Sequence, residues 1–192
     1  MSRITKTDLD LLNITFDRGL DIVSRTIYIF DDIDETMSEN VVMGLAFLSK
    51  TPGPITIMIN SQGGSVNDMF AIYDAMQACK CEITTVGIGE VCSAAGLLLV
   101  AGDKRLASPT CMFMAHNVHG GTNEDEEMWT AQSQMKATIV VWTMWAKCMA
   151  KHTAHHEKYW LKEMSNTVRE LWLTTDQMKM SKHGIIDGVW GK

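Results

Sequence analysis

Three short segments carry residue types that could do chemistry together. Ser93 lies in Gly89-Glu90-Val91-Cys92-Ser93-Ala94-Ala95-Gly96, at the end of a strand-like run and just ahead of the apolar Leu97-Leu98-Leu99-Val100. A hydroxyl there, followed by small residues, leaves room for a substrate carbonyl. A helix starting at that point turns its free N–H groups and positive dipole end toward any oxyanion formed beside the serine. The same segment also reads as a simple helix N-cap, a common use of serine. His116 follows the apolar run Cys111-Met112-Phe113-Met114-Ala115, and a neighbouring imidazole is what turns a neutral hydroxyl into a nucleophile. Gly63-Gly64, within Ser61-Gln62-Gly63-Gly64-Ser65, can present backbone N–H groups with no side chain in the way.

These segments need a scaffold that brings them to one place. Thr26–Phe30, Ile55–Asn60, Ile83–Ile88 and Cys111–Ala115 are rich in β-branched or aromatic residues and read as strands. Between them lie helical patterns: Ser38, as a cap, to about Ser49; Val66 to Cys79; and a helix from Ser93 to about Gly102. Strands alternating with helices imply right-handed crossovers and a largely parallel, helix-covered sheet, the α/β class. In such folds ligand sites form at the carboxyl ends of strands, which is where Gly63-Gly64, Ser93 and His116 fall. Beyond His116 a long helix is expected from about Glu124 to Lys151, apolar on more than one side through Ile139, Val140, Val141, Trp142, Met144 and Trp145. A helix apolar nearly all round needs a partner surface. A further helix over 154–164, a short extended piece at Leu171-Trp172-Leu173 and a last helix capped by Thr174 or Thr175 and running through Lys182 complete the chain. Residues 1–22 read as an N-terminal arm and 23–192 as a single domain.

Composition removes several classes of function. A net charge of −6 with scattered Lys and Arg argues against a nucleic-acid partner. The N-terminus lacks the apolar core of a signal peptide. The uncharged run 94–102 is far short of the ~18 residues that span a bilayer, so a soluble intracellular protein with no membrane partner is expected. Five irregularly spaced cysteines (79, 81, 92, 111 and 148) suit free thiols better than a disulfide framework. His152 and His156 share a helical spacing but lack the adjacent Glu of a zinc protease, and no metal or cofactor is expected. His119 reads as a turn residue and His183 as a cap beside Gly184. The acidic run 124–127 reads as a solvated helix start.

From about Ser24 to Val189 the chain resembles the proteolytic subunit family of the Clp protease (ClpP), serine peptidases of crotonase-like fold. Ile59-Asn60-Ser61-Gln62-Gly63-Gly64-Ser65-Val66 is similar to the family's I-N-S-P-G-G-S-V, with Gln62 where proline is usual. Ala71-Ile72-Tyr73-Asp74-Ala75-Met76-Gln77 is similar to A-I-Y-D-T-M-Q, Gly89–Gly102 to G-x-A-A-S-M-G-A-F-L-L-A-A-G, and Met112–Gly121 to R-I-M-I-H-Q-P-L-G-G. The resemblance implies Ser93 as nucleophile and His116 as base. It also implies the amides of Gly64 and Ala94 as oxyanion donors, and Gly63, Gly120 and Gly121 as substrate-binding positions. The family's third member is an Asp in D-T-x-R-D-x-F; here the stretch is Asn166-Thr167-Val168-Arg169-Glu170-Leu171-Trp172, which aligns Glu170 and leaves Asn166 as the alternative.

What the resemblance implies further is an ATP-dependent system. The chain would be a serine endopeptidase acting on unfolded proteins inside stacked heptameric rings, a cytoplasmic tetradecamer fed by an AAA+ unfoldase. A handle over about 120–165 would join the rings. Thr56 and Met58 stand where the family places aromatics of its unfoldase-docking groove. Two other readings remain open at this point. One is a catalytically weak or inactive paralogue serving as a ring subunit; the other is an acyl-CoA enzyme of the same fold.

Overall fold

The computed structural model describes residues 5–116, 128–164 and 170–191. The chain opens with α1 (Lys6–Arg18), capped by Thr5 and Asp8 in a reciprocal capping box and closed by Gly19 in the left-handed conformation. No residue of α1 is buried. The arm anticipated over 1–22 therefore contains a regular helix lying on the surface, followed by β1 (Leu20–Asp21).

Among the described residues the strands form one mixed eight-stranded sheet. β2 (Thr26–Ile29), β3 (Ile55–Ser61), β4 (Ile83–Cys92) and β5 (Lys104–Ala107) run parallel, and β8 (Gly188–Val189) adds to β5. β1 pairs antiparallel with β2. Strict alternation along β3 buries Ile55, Ile57 and Ile59 completely, while Thr56 and Met58 are half-buried on the other face. The helices α2 (Glu35–Leu48), α3 (Val66–Ala78) and α4 (Ala94–Val100) are the crossovers that parallel strands require. α4 is buried at every residue.

One helix starts earlier than its sequence suggests. Ser38 was expected as the cap, but Asp34 takes the role, its carboxylate accepting from the Met37 N–H at 2.8 Å. Ser38 sits inside the helix and donates to Asp68 at 2.9 Å, tying α2 to α3. A charged acceptor at the dipole's positive end wins over a hydroxyl four residues later.

The sheet forks at β4. Its first half pairs with β5, its last three residues with β6 (Met112–Ala115), and β6 pairs antiparallel with β7 (Leu171–Thr174). The register against β3 slips at this point, between Ile59↔Gly87 and Ser61↔Val91. Gly89 at φ +62 makes the bend, and Asn60 fills it by accepting from the Glu90 N–H at 3.1 Å. A Cβ on Gly89 would lie 2.5 Å from that Asn60 oxygen. The fork directs the end of β4, and so Ser93, toward the strand that carries His116.

α5 (Met128–His152) and α6 (Glu157–Met164) pack beside this forked end, and α7 (Thr175–Lys179), capped by Thr174, precedes β8. α7 stops at Lys179 rather than Lys182, and the ring of His183, expected as a cap, packs inward at 3.0 Å from His155. Among the described residues no helix is long and apolar enough to cross a membrane, and all five cysteines are free thiols.

Candidate active site

Ser93 joins β4 to α4 with φ +55 and ψ −121, one of two non-glycine residues at positive φ among those described. A sharp, strained strand-to-helix turn lifts a side chain out of the sheet, and such strain collects where function demands it. The strain is held by neighbours: the Ser93 N–H donates to Met114 at 2.7 Å, and the Gly96 N–H to the Ser93 carbonyl at 3.0 Å. Ser93 does not cap α4 through its side chain. Its hydroxyl instead lies 2.7 Å from His116 Nε2. The capping role open in the sequence is therefore excluded, and the two residues are joined as a hydroxyl–imidazole pair.

His116 follows β6, and β6 reaches Ser93 through the fork described above. The last β6–β7 pairs are Met114↔Trp172 and Ala115↔Leu171. One more step of that antiparallel register sets Glu170 across from His116. The Glu170 carboxylate is exposed and accepts from the Trp172 indole N–H at 2.8 Å. Asn166 lies outside the described residues, as do His119, Gly120, Gly121 and the acidic run 124–127.

Gly63 and Gly64 follow β3 at φ +106 and +143, beyond the reach of ordinary side-chain-bearing residues. Gly63 is packed on the Ser93 turn: an added Cβ would lie 2.7 Å from Ser93 Cβ and 3.0 Å from the Ala94 nitrogen. The loop is anchored through Ile33, whose N–H donates to the Gly63 carbonyl at 2.7 Å and whose carbonyl accepts from Ser65 at 2.7 Å. That bridge leaves the Gly64 N–H unused. The Ala94 N–H, at the first position of α4, is one that helix geometry leaves unpaired. The Ala94 N–H thus adjoins Ser93 at the positive end of a helix.

Other groups shape the surroundings. Cys92, immediately before the serine, is buried, and its thiol is pushed up to about 11, first by burial and then by the charge of Glu90. At neutral pH it stays a neutral thiol. Gln62, standing where proline is usual in the related motif, donates to Glu90 at 3.0 Å and straps the glycine loop to β4. Val66, Met69, Trp142 and Trp145 line a cavity of about 20 Å³ that also touches Ser93, Ala94 and His116. Sequence reading singled out the two tryptophans only as apolar positions on a long helix; nothing local to them signals that α5 returns to the Ser93 loop. Of the other histidines, His152 lies 3.0 Å from the Tyr73 hydroxyl, and no cluster of three or more potential metal ligands occurs among the described residues.

The Clp protease family model matches residues 18–192. The ATP-dependent Clp protease proteolytic subunit of Carsonella ruddii (strain PV) is 31% identical, over 92% of this chain and 92% of its own length. Proteolytic subunit 1 from Rhodococcus jostii (strain RHA1) is 34% identical over 86% of this chain and 74% of its own. Proteolytic subunit 1 from Shouchella clausii (strain KSM-K16) is 42% identical over 55% and 59%. The match runs through the glycine turn, the Ser93 turn and the His116 strand alike, and the chain belongs to the Clp protease family.

Proposed function

We propose that this chain is the proteolytic subunit of an ATP-dependent Clp protease, a serine endopeptidase that hydrolyses peptide bonds of unfolded proteins. The observation that carries this reading is the 2.7 Å contact between Ser93 Oγ and His116 Nε2 at the strained N-terminus of α4. Ser93 attacks the scissile carbonyl as His116 takes its proton; the oxyanion settles on the amides of Gly64 and Ala94, and His116 returns the proton to the leaving amine. Water then repeats the cycle on the acyl-enzyme. Glu170 orients His116 and stabilises its cationic form, the role the register supports. Gly63, Gly120 and Gly121 guide the substrate backbone.

The assembly we infer is a pair of stacked heptameric rings in the cytoplasm, joined through a handle over about 120–165 and served by an AAA+ unfoldase. Met135, Ile139, Val140 and Met144 on α5 are exposed apolar residues, which fits burial against another subunit. Ser93→Ala is expected to abolish hydrolysis of small fluorogenic peptides without changing the native mass, and a fluorophosphonate probe is expected to label wild-type Ser93. Unchanged turnover in the Ser93→Ala protein would refute the assignment.

A further inference from the structure

Gly63 and Gly64 have no side chains to fix them, and both sit at positive φ, +106 and +143, a region glycine enters because so little restrains it. A loop built this way must be held from outside if one of its amides is to meet an oxyanion at a set place. On one side the holding is done by backbone. The Ile33 N–H donates to the Gly63 carbonyl and the Ser65 N–H to the Ile33 carbonyl, both at 2.7 Å. Ile33 follows β2, so these bonds tie the loop to the neighbour of β3 that does not carry Ser93.

On the other side, the ladder between β3 and β4 ends at Ser61↔Val91. Past that pair the tie is made by side chains. Gln62 Nε2, one residue before the glycine pair, donates to Glu90 Oε1 at 3.0 Å. The second carboxylate oxygen, Oε2, accepts from the Cys92 thiol at 3.9 Å; the thiol is a weak donor, but it stands immediately before Ser93. Glu90 and Cys92 are two apart on β4 and share a face of the strand. The Glu90 backbone is held separately, its N–H donating to Asn60 Oδ1 at 3.1 Å beside the Gly89 bend.

One carboxylate on a fixed backbone thus grips the glycine loop with one oxygen and the serine turn with the other. Hydrogen bonds to a carboxylate are about twice as strong as those between neutral groups. Gly63 also lies directly against the Ser93 turn, so a tilt of the loop changes where the Gly64 amide stands relative to the serine hydroxyl.

Resting on the serine-peptidase reading above, we propose that Glu90 is a positioning residue: through Gln62 and Cys92 its carboxylate sets the placement of the Gly64 amide relative to Ser93 Oγ. The clasp stands where the similar motif has a proline, a residue that stiffens the chain covalently. Here a pair of side chains supplies that stiffness, and the two change together.

The test uses the assembled protein. The kcat and KM for a fluorogenic peptide and the rate constant for fluorophosphonate labelling of Ser93 are measured together, with native mass and Tm on the same samples. Glu90→Ala frees both ends of the clasp. It is expected to lower kcat and the labelling rate about 10- to 100-fold, between the loss of one hydrogen bond to a charged group and a displacement of about 1 Å. KM should stay within about threefold, because the amide acts on the transition-state oxyanion rather than on bound substrate. Glu90→Gln keeps an acceptor for Gln62 and should remain within about threefold of wild type in kcat. Gln62→Ala, at an exposed position, should lower kcat about threefold to tenfold on its own and not further when Glu90 is already alanine, the mark of two residues acting through one contact.

A kcat within about twofold of wild type in both alanine variants would overturn the proposal. So would a Gln62→Ala loss that persists in full in the Glu90→Ala background, a loss carried by KM, or an equal loss in Glu90→Gln. If Glu90→Ala fails to assemble, Gln62→Ala decides, and a kcat within about twofold of wild type there overturns the clasp. Any of these results, with wild-type Ser93 labelling normally, strikes the positioning role and leaves the nucleophile standing. Wild-type protein that neither labels nor cleaves would overturn the serine-peptidase reading and this proposal with it.

Discussion

Gly63→Ala is the substitution that most directly probes how the site is held. The residue has φ +106, and the new methyl would lie 2.7 Å from Ser93 Cβ, 2.9 Å from the Cys92 carbonyl oxygen and 3.0 Å from the Ala94 nitrogen. Carbon atoms prefer separations of about 3.5–4.0 Å, so close to 1 Å must be found. Two of the three colliding atoms are backbone, and the third is held by the Ser93 turn. The Ser93–His116 contact is 2.7 Å; a shift of about 1 Å along it reaches a separation at which no hydrogen bond survives. A displacement of that size costs on the order of 100-fold in rate. The positive φ adds a stability penalty of about 1–3 kcal/mol, or a fall in Tm of roughly 2–12 °C for a chain of this length. Gly191→Ala supplies the control: its φ is +82, but nothing lies within 4 Å of the added carbon. It should show the backbone penalty and keep the rate. The assay is the second-order rate constant for fluorophosphonate labelling of Ser93, with Tm measured on the same samples. If Gly63→Ala labels within about threefold of wild type, the close packing of the glycine loop on the serine turn does not set the catalytic geometry, and the reasoning fails.

Glu170→Gln should lower kcat by about 100- to 10,000-fold, in line with losing the charge that orients and stabilises a catalytic imidazole, with KM changed far less. Trp172→Phe removes only the indole that engages the carboxylate at 2.8 Å and should change kcat less than about tenfold; equal losses in the two variants would reassign Glu170 to a structural role. Acid should destabilise the protein through His152. Burial first, then the charges of Lys151 and Arg105, hold its pKa down to about 4 in the fold, against about 6.5 in an unfolded chain. The unfolded state thus binds more protons at low pH, so the stability from this residue is complete above about pH 6.5 and is lost as pH falls from there toward 4. His152→Gln should flatten Tm between pH 7.5 and pH 5; a slope identical to wild type would remove His152 from the explanation.

Much of the site was legible because its parts are local. The strand-forming runs, the glycine pair after one strand, the serine after the next and the histidine after a third are each readable within ten residues, and α/β topology places strand ends together. The exchange of caps between Ser38 and Asp34 was a local competition that charge decided, and either choice leaves the helix in place. Residues 1–22, read as an arm, carry Thr5, Asp8 and Gly19 as cap signals at both ends of α1.

By itself, then, the sequence determined the order of strands and helices, the chemistry available at their ends and the match to the Clp protease family, because periodicity, capping and motif spacing act over short stretches of chain. Only the tertiary structure decided which groups meet. It turned the Ser93 hydroxyl away from α4 and onto His116, 23 positions along the chain. It forked the sheet at Gly89 so that β6 and β7 bring His116 and Glu170 to the same edge. It folded α5 back so that Trp142 and Trp145 line the space beside Ser93 and His116. These outcomes depend on which surfaces pack together across dozens of residues, and a side chain's partner is set by that packing rather than by its neighbours in sequence.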